Sequence, residues 1–180
     1  LESLQGAKIT GTNRRGKFMW CPLDSGEALV VHLGMSGQIR VLGEDSPKHE
    51  RVRLLLADRP PVSFHDQRLF GSLALDVTAD TADGLPAGFG SDAITIPSQV
   101  AHIARDVLDP ALDDEVLIRR LRSRTVAVKT ALLNQELVSG IGNIYADEAL
   151  YESKLHPAQP ALRLSAAEAN RLRVAVLRVL

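Results

Sequence analysis

The spacing of apolar residues changes part-way along this chain, and that change dictates a mixed fold. Through residue 77 the apolar side chains fall in short β-branched or aliphatic runs: Ala7 to Thr12, Lys17 to Leu23, Ala28 to Leu33, Gln38 to Leu42, Val52 to Ala57, Val62 to His65 and Ser72 to Val77. Glycine, proline or charge separates them at intervals of about eight to twelve residues, the rhythm of an antiparallel sandwich or barrel rather than of βαβ units. From residue 113 onward the interval becomes three or four, which predicts helices over Asp114 to Arg122, Val126 to Gln135, Gly142 to Lys154 and Ser165 to Leu180. Ser165 with Glu168 three residues on is a capping-box pattern for the last of them. The fold class expected is α+β: an antiparallel β-sandwich over residues 1–77, then a helical domain over residues 113–180. Residues 78–112, rich in Asp, Ala, Gly, Pro and Thr, are expected to form an acidic linker or long surface loop.

Both ends are abrupt. Leu1 is not an initiator methionine and the last helical pattern stops without a cap or a glycine, so an excerpt of a longer polypeptide, with an incomplete sandwich, is expected. With 45% hydrophobic residues the 180 residues suffice for a real core. No apolar run approaches the roughly 20 residues of a membrane span and the first segment is no signal peptide, so a cytoplasmic protein is expected. Cys21, the single cysteine, excludes an internal disulfide and a four-cysteine zinc site, and no cofactor is expected within the chain.

The net charge of −1 conceals an uneven distribution. Nine acidic residues lie between Asp76 and Glu115 against the single basic Arg105, which leaves 20 Lys or Arg against 13 Asp or Glu elsewhere. The basic residues cluster as Arg14, Arg15, Lys17, then Lys48, His49, Arg51, Arg53, then Arg119, Arg120, Arg122, Arg124, Lys129. Such clusters form either solvated faces or a nucleic-acid footprint.

Four segments call for a chemical reading. In Leu137 to Glu148 a glycine pair and Asn143 open a helix, which aims backbone N–H groups at an anion or simply makes a turn. In Arg14-Arg15-Gly16-Lys17-Phe18 a basic turn enters a strand, so Lys17 either contacts a phosphate, carries a proton, or ends a charged hairpin. In His32-Leu33-Gly34-Met35-Ser36-Gly37 a methionine stands at a glycine-flanked tip, an odd place for a core residue and a suitable one for a wedge in a base stack. His32 either donates to a phosphate or satisfies a strand carbonyl. In His65-Asp66-Gln67-Arg68-Leu69-Phe70-Gly71 a guanidinium and an aromatic ring stand two residues apart, a fork for a base edge and a surface for stacking. Together the four describe a tool for bending DNA and everting a base.

With these motifs, in this order and spacing, the chain resembles formamidopyrimidine-DNA glycosylase, the Fpg or MutM family of bacterial base-excision repair. The matching stretches are Arg15-Gly16-Lys17, His32 to Gly37, Asp66 to Gly71 and Gln135 to Leu150. The resemblance implies a β-sandwich followed by a helix-two-turns-helix DNA-binding domain, excision of oxidised purines such as 8-oxoguanine and formamidopyrimidines, and β,δ-elimination at the abasic site. It implies that Met35, Arg68 and Phe70 fill the void left by the flipped lesion, with Arg68 facing the orphaned cytosine. Leu69 departs from the pattern, since many members carry a second arginine there. Lys17 matches a lysine of phosphate contact and lyase action, Asn143 an asparagine that grips a phosphate beside the flipped nucleotide, with His32 assisting. His49, Arg68 and Arg124 fall at DNA-contacting basic positions.

The resemblance also implies a partner, double-stranded DNA with an oxidised purine or abasic site, bound by a monomer at the bacterial nucleoid and away from membranes. The family nucleophile is an N-terminal proline amine followed by a glutamate; Leu1-Glu2 is no substitute, and the zinc of a full-length member has no four cysteines here. Two other readings stand beside an excerpt of an active enzyme. One is a catalytically silent paralogue that binds damaged or abasic DNA, and the other is a helical RNA-binding module. Met35 and Arg68 speak against the RNA module, and the His32 to Gly37 and Asp66 to Gly71 motifs fit Fpg better than an endonuclease VIII-type enzyme.

Overall fold

A computed structural model describes residues 4–41 and 48–180. Leu1 and Glu2, compared above with Pro-Glu, and Leu42, the expected end of a strand, lie outside the described residues. Among these, eight strands make two antiparallel sheets. One has the order β1 (Asn13–Arg15), β2 (Phe18–Pro22), β3 (Glu27–His32), β7 (Ser72–Asp80), β8 (Thr95–Pro97); the other has the order β4 (Gln38–Val41), β6 (Arg59–His65), β5 (Glu50–Leu56). The sheets meet across an apolar groove of about 740 Å³ lined by Ile9, Leu23 and Leu29 on one side and Val52, Leu54 and Leu56 on the other. The chain is thus α+β, its sheets followed by helices.

Two segments differ from the expected layout. Ala7 to Thr12 is not a strand and touches the sheet through the isolated Ile9–Leu23 bridge. The first strand is instead Asn13–Arg15, held by partners far along the chain: the Arg15 guanidinium donates to the Ala87 carbonyl at 2.6 Å, and Ser91 donates to Asn13 at 2.7 Å. Those partners belong to residues 78–112, which do not behave as a linker. β7 runs on to Asp80, β8 pairs with it, and Ala87, Ile96, Val100 and Ile103 pack with Trp20, Ala28 and Val30 as the core of the first domain. The acidic composition has a local cause, since Asp83 and Asp109 each meet the buried Arg105 guanidinium at 2.8 Å. Burial desolvates that cation, and the two carboxylates outweigh the loss and raise its pKa.

The helical half contains α1 (Asp114–Arg122), α2 (Val128–Leu133), α3 (Asn143–Glu152), a 3₁₀ turn at Ala161–Arg163 and α4 (Ala166–Val179). Asp113 caps α1 by accepting from the N–H groups of Glu115 and Val116, and Ser165 with Glu168 forms the capping box of α4. α2 is shorter than the apolar pattern suggests. Its expected first residues pair in extended form with the 3₁₀ turn, where Ala161 N–H donates to the Val126 carbonyl at 2.9 Å. Leu117, Leu132, Leu137, Ile141, Leu150 and Leu172 make the centre of this second core. Among the described residues no helix is long and apolar enough to cross a membrane.

Candidate nucleic-acid interface

The β1–β2 hairpin reaches into the helical half at its tip. Gly16 takes a left-handed conformation (φ +55°), and a Cβ there would lie 2.7 Å from the Ser139 Cβ, so only glycine lets the tip approach the turn between α2 and α3. Next to it the Lys17 ammonium donates to the Ile141 carbonyl at 3.1 Å, and Arg14 pairs with the buried Asp106 at 2.8 Å. The turn itself is built by Gln135. Its side chain accepts from Gly140 N–H and donates to the Leu133 and Ile141 carbonyls, each at 3.0 Å. Gly140 (φ +92°) faces the Asp106 carboxylate, and Gly142 then starts α3 with no side-chain cap. Asn143 is exposed in the first turn of that helix, whose N–H groups and dipole favour an anion. Lys17 and Asn143 therefore flank one spot.

A second cluster joins the β3–β4 and β6–β7 loops. Met35 is 72% exposed at one tip and Phe70 62% exposed at the other, far more than a core role allows. The Arg68 guanidinium lies 3.7 Å from the Met35 sulfur. The loops touch backbone to backbone: a Cβ on Gly34 (φ +60°) would stand 2.6 Å from the Phe70 carbonyl. Beneath them Asp66, only 1% exposed, gathers donors from both. Its carboxylate accepts from Ser36 Oγ at 2.5 Å, from Gly71 N–H at 2.7 Å and from Arg68 N–H at 3.2 Å. These bonds, the serine first, hold its carboxyl below the usual carboxylate range.

The two histidines sit at the margins of these clusters. His32 ends β3, lies with its ring centroid 4.8 Å from that of Phe18 at a tilt of 45°, and accepts the Gly34 N–H on Nδ1 at 3.3 Å. Burial first, and the Lys17 charge second, lower its pKa, so the imidazole is neutral at neutral pH with Nδ1 as acceptor. His49 (φ +68°) is exposed and meets the second cluster through its carbonyl, which accepts the Asp66 N–H at 3.0 Å. Arg124 stands apart on the α1–α2 connection. Among the described residues no hydrogen bond or ion pair joins its side chain to either cluster.

The hairpin tip, the methionine turn, the Arg-x-Phe loop and the uncapped glycine turn match a known architecture in sequence as well as in shape. Residues 1–73 match the model of the formamidopyrimidine-DNA glycosylase N-terminal domain, and residues 103–180 match that of the formamidopyrimidine-DNA glycosylase H2TH domain.

The chain belongs to the formamidopyrimidine-DNA glycosylase family.

The formamidopyrimidine-DNA glycosylase of Leifsonia xyli is 45% identical over 185 residues, covering 98% of this chain and 62% of that protein. The one from Nocardioides is 47% identical over 175 residues, 94% of this chain and 55% of the relative. The crystal structure of MutM (Fpg) from Thermus thermophilus superposes with a TM-score of 0.74 at 34% identity, over 96% of this chain and 59% of that one. The Lactococcus lactis Fpg (MutM) in complex with DNA containing FAPY-dG gives a TM-score of 0.77 at 26% identity, over 98% and 62%. The chain thus spans about three-fifths of the proteins it matches.

Within this formamidopyrimidine-DNA glycosylase fold the structure brings the loops of Met35, Arg68 and Phe70 together, places Lys17 beside Ile141 and Gly142 just ahead of Asn143, and sets His32 against Phe18 and Gly34. The sequence reading passed over Asp66 as a site residue. The available signal was an aspartate at the mouth of a glycine-closed loop, where its side chain takes up backbone N–H groups. Among the described residues no group of three or more His, Cys, Asp or Glu side chains is arranged to hold a metal ion.

Proposed function

We propose that this chain is the DNA-gripping and base-everting part of a base-excision repair enzyme that removes oxidised purines, 8-oxoguanine and formamidopyrimidines, and cleaves at the abasic site. One observation carries the reading: two large apolar side chains, Met35 and Phe70, stand out into solvent on latched loops, with the Arg68 guanidinium against Met35. Apolar side chains held out in water cost stability unless a partner receives them, and the stack around a missing base is such a partner. Met35 fills the vacated space, Phe70 wedges the neighbouring step, and Arg68 offers planar donors to the orphaned base. Lys17 and the first turn of α3 with Asn143 take the phosphates beside the everted nucleotide, which positions the strand without reading sequence. His32 and His49 lie where they add phosphate contacts, and Arg124 adds one at a distance. One copy carries both clusters, so a monomer serves. The relatives are bacterial, and a bacterial enzyme acting on chromosomal DNA would work at the nucleoid.

The test is eversion and covalent trapping. A duplex with a fluorescent base analogue opposite or beside an abasic site should brighten on binding, and Phe70→Ala should abolish the change. Borohydride trapping on 8-oxoguanine and abasic duplexes tests the lyase step. An abasic adduct lost in Lys17→Met assigns the amine to Lys17; an adduct that survives assigns it elsewhere. Equal affinity for damaged and intact duplexes would sink the reading.

A further inference from the structure

We propose that Asp66 is the positioning residue that makes the base-everting loops ready before DNA arrives. The inference rests on the function proposed above and deepens it, because Asp66 itself points inward and touches no DNA. The carboxylate is buried to 1% exposure, and its partners are the moving parts themselves: Ser36 from the methionine turn, and Arg68, Leu69 and Gly71 from the Arg-x-Phe loop. Ser36 Oγ also accepts the Arg68 N–H at 3.0 Å, so the hydroxyl is a relay between the loops.

The backbone shows what this hub holds in place. Leu69 lies at φ +60°, a left-handed conformation that costs a leucine energy and that glycine adopts freely. It is nevertheless 66% exposed, so no packing of its side chain repays the strain. The N–H bonds of Arg68, Leu69 and Gly71 to one carboxylate over-determine that turn, which sets Arg68 against Met35 and the Phe70 backbone against Gly34. On the outer side Arg51 Nε donates to the Asp66 carbonyl at 2.8 Å, and the Asp66 N–H donates to His49. Main chain and side chain of Asp66 are therefore both anchored. Loops ordered in advance do not lose conformational freedom when they enter the duplex, and that gain appears only where insertion occurs. Asp66 should thus raise affinity for damaged DNA without raising affinity for intact DNA.

The experiment compares the protein with its Asp66→Asn and Ser36→Ala variants on two duplexes of one sequence, one with a tetrahydrofuran abasic analogue and one intact. Asparagine keeps the shape but accepts on one oxygen only and carries no charge. The expected result is a fall of at least about tenfold, or about 1.4 kcal/mol, in the abasic-to-intact affinity ratio for Asp66→Asn. Ser36→Ala should fall in the same direction by a smaller factor, and intact-duplex affinity should hold within about twofold. Base-analogue fluorescence at saturating protein should drop with the ratio, a readout that a loss of stability alone would not move. Unchanged ratios in both variants, or equal losses on both duplexes, would overturn the role of Asp66. If Asp66→Asn does not fold, Ser36→Ala decides by the same criteria. A ratio near one in the unaltered protein would overturn the proposed function, and the role of Asp66 with it.

Discussion

The Lys17 ammonium donates to the Ile141 carbonyl at 3.1 Å, and so ties the tip of a β-hairpin to the turn that opens α3, 124 residues further on. One donor goes to the protein, and the ammonium has two more to offer a phosphate in the same place. Lys17→Met keeps the length of the side chain and removes the charge. It should weaken binding to intact and abasic duplexes by similar factors, and the slope of log affinity against log salt should fall by about 0.9. Titrations at several salt concentrations read this directly. An unaltered slope would show that Lys17 meets no phosphate.

Glycines 16 and 26 share a left-handed backbone and differ in surroundings. Gly26 (φ +86°) has open space where a Cβ would go, whereas Gly16 faces Ser139 at 2.7 Å. Gly26→Ala should cost about 1 kcal/mol through backbone strain alone. Gly16→Ala should cost about 3 kcal/mol, because the hairpin must also move off the helical half. Urea unfolding midpoints compare the two.

Phe70 and Asn143 should separate insertion from grip. Phe70 is exposed, so Phe70→Ala should change stability by no more than about 0.5 kcal/mol. It should nevertheless remove about 1–3 kcal/mol of binding to an abasic duplex, the worth of a base–aromatic stack, and little from an intact one. Asn143→Ala should weaken both duplexes alike. Equal losses on both duplexes for Phe70→Ala would remove the wedge assignment.

Acid should loosen the loops through Asp66. Its carboxyl titrates below the ordinary range in the folded protein, so the folded state binds fewer protons than the unfolded one. The stabilisation is complete above the unfolded-state value and is lost as pH falls through the folded-state value, below the usual carboxylate range. Thermal melts from neutral pH down to about pH 3 should show the gap between the protein and Asp66→Asn narrowing as acid is added. A gap that stays constant would show that the carboxylate charge contributes nothing.

Helices whose ends are capped by their own neighbours were readable from sequence. The ends of α1 and α4 follow from Asp113 and from Ser165 with Glu168, all local signals. Local reading failed where distant partners decide. Ala7 to Thr12 alternates like a strand but meets the sheet through the isolated Ile9–Leu23 bridge, whereas polar Asn13–Arg15 becomes a strand because it pairs with β2 and its side chains bond Ala87 and Ser91. The same blindness made 78–112 look like a linker, since Ile96 and Val100 are buried by contacts with Trp20 and Val30 that no window of sequence contains. Met35 was conspicuous as an apolar residue misplaced at a loop tip, and Phe70 as an aromatic ring two residues from a guanidinium. Asp66 was not, because its importance lies in bonds to two loops that only the fold brings together.

The backbone contact between Gly34 and the Phe70 carbonyl has a kinetic consequence. The contact blocks approach and the Ser36–Asp66–Arg68 bonds oppose separation, so Met35 and Phe70 are expected to move together. On the proposed function, probing a duplex would then be a single stroke rather than two independent insertions. Reporters on the damaged strand and on its complement should relax with the same rate constant, and a substitution that delays one prong should delay both.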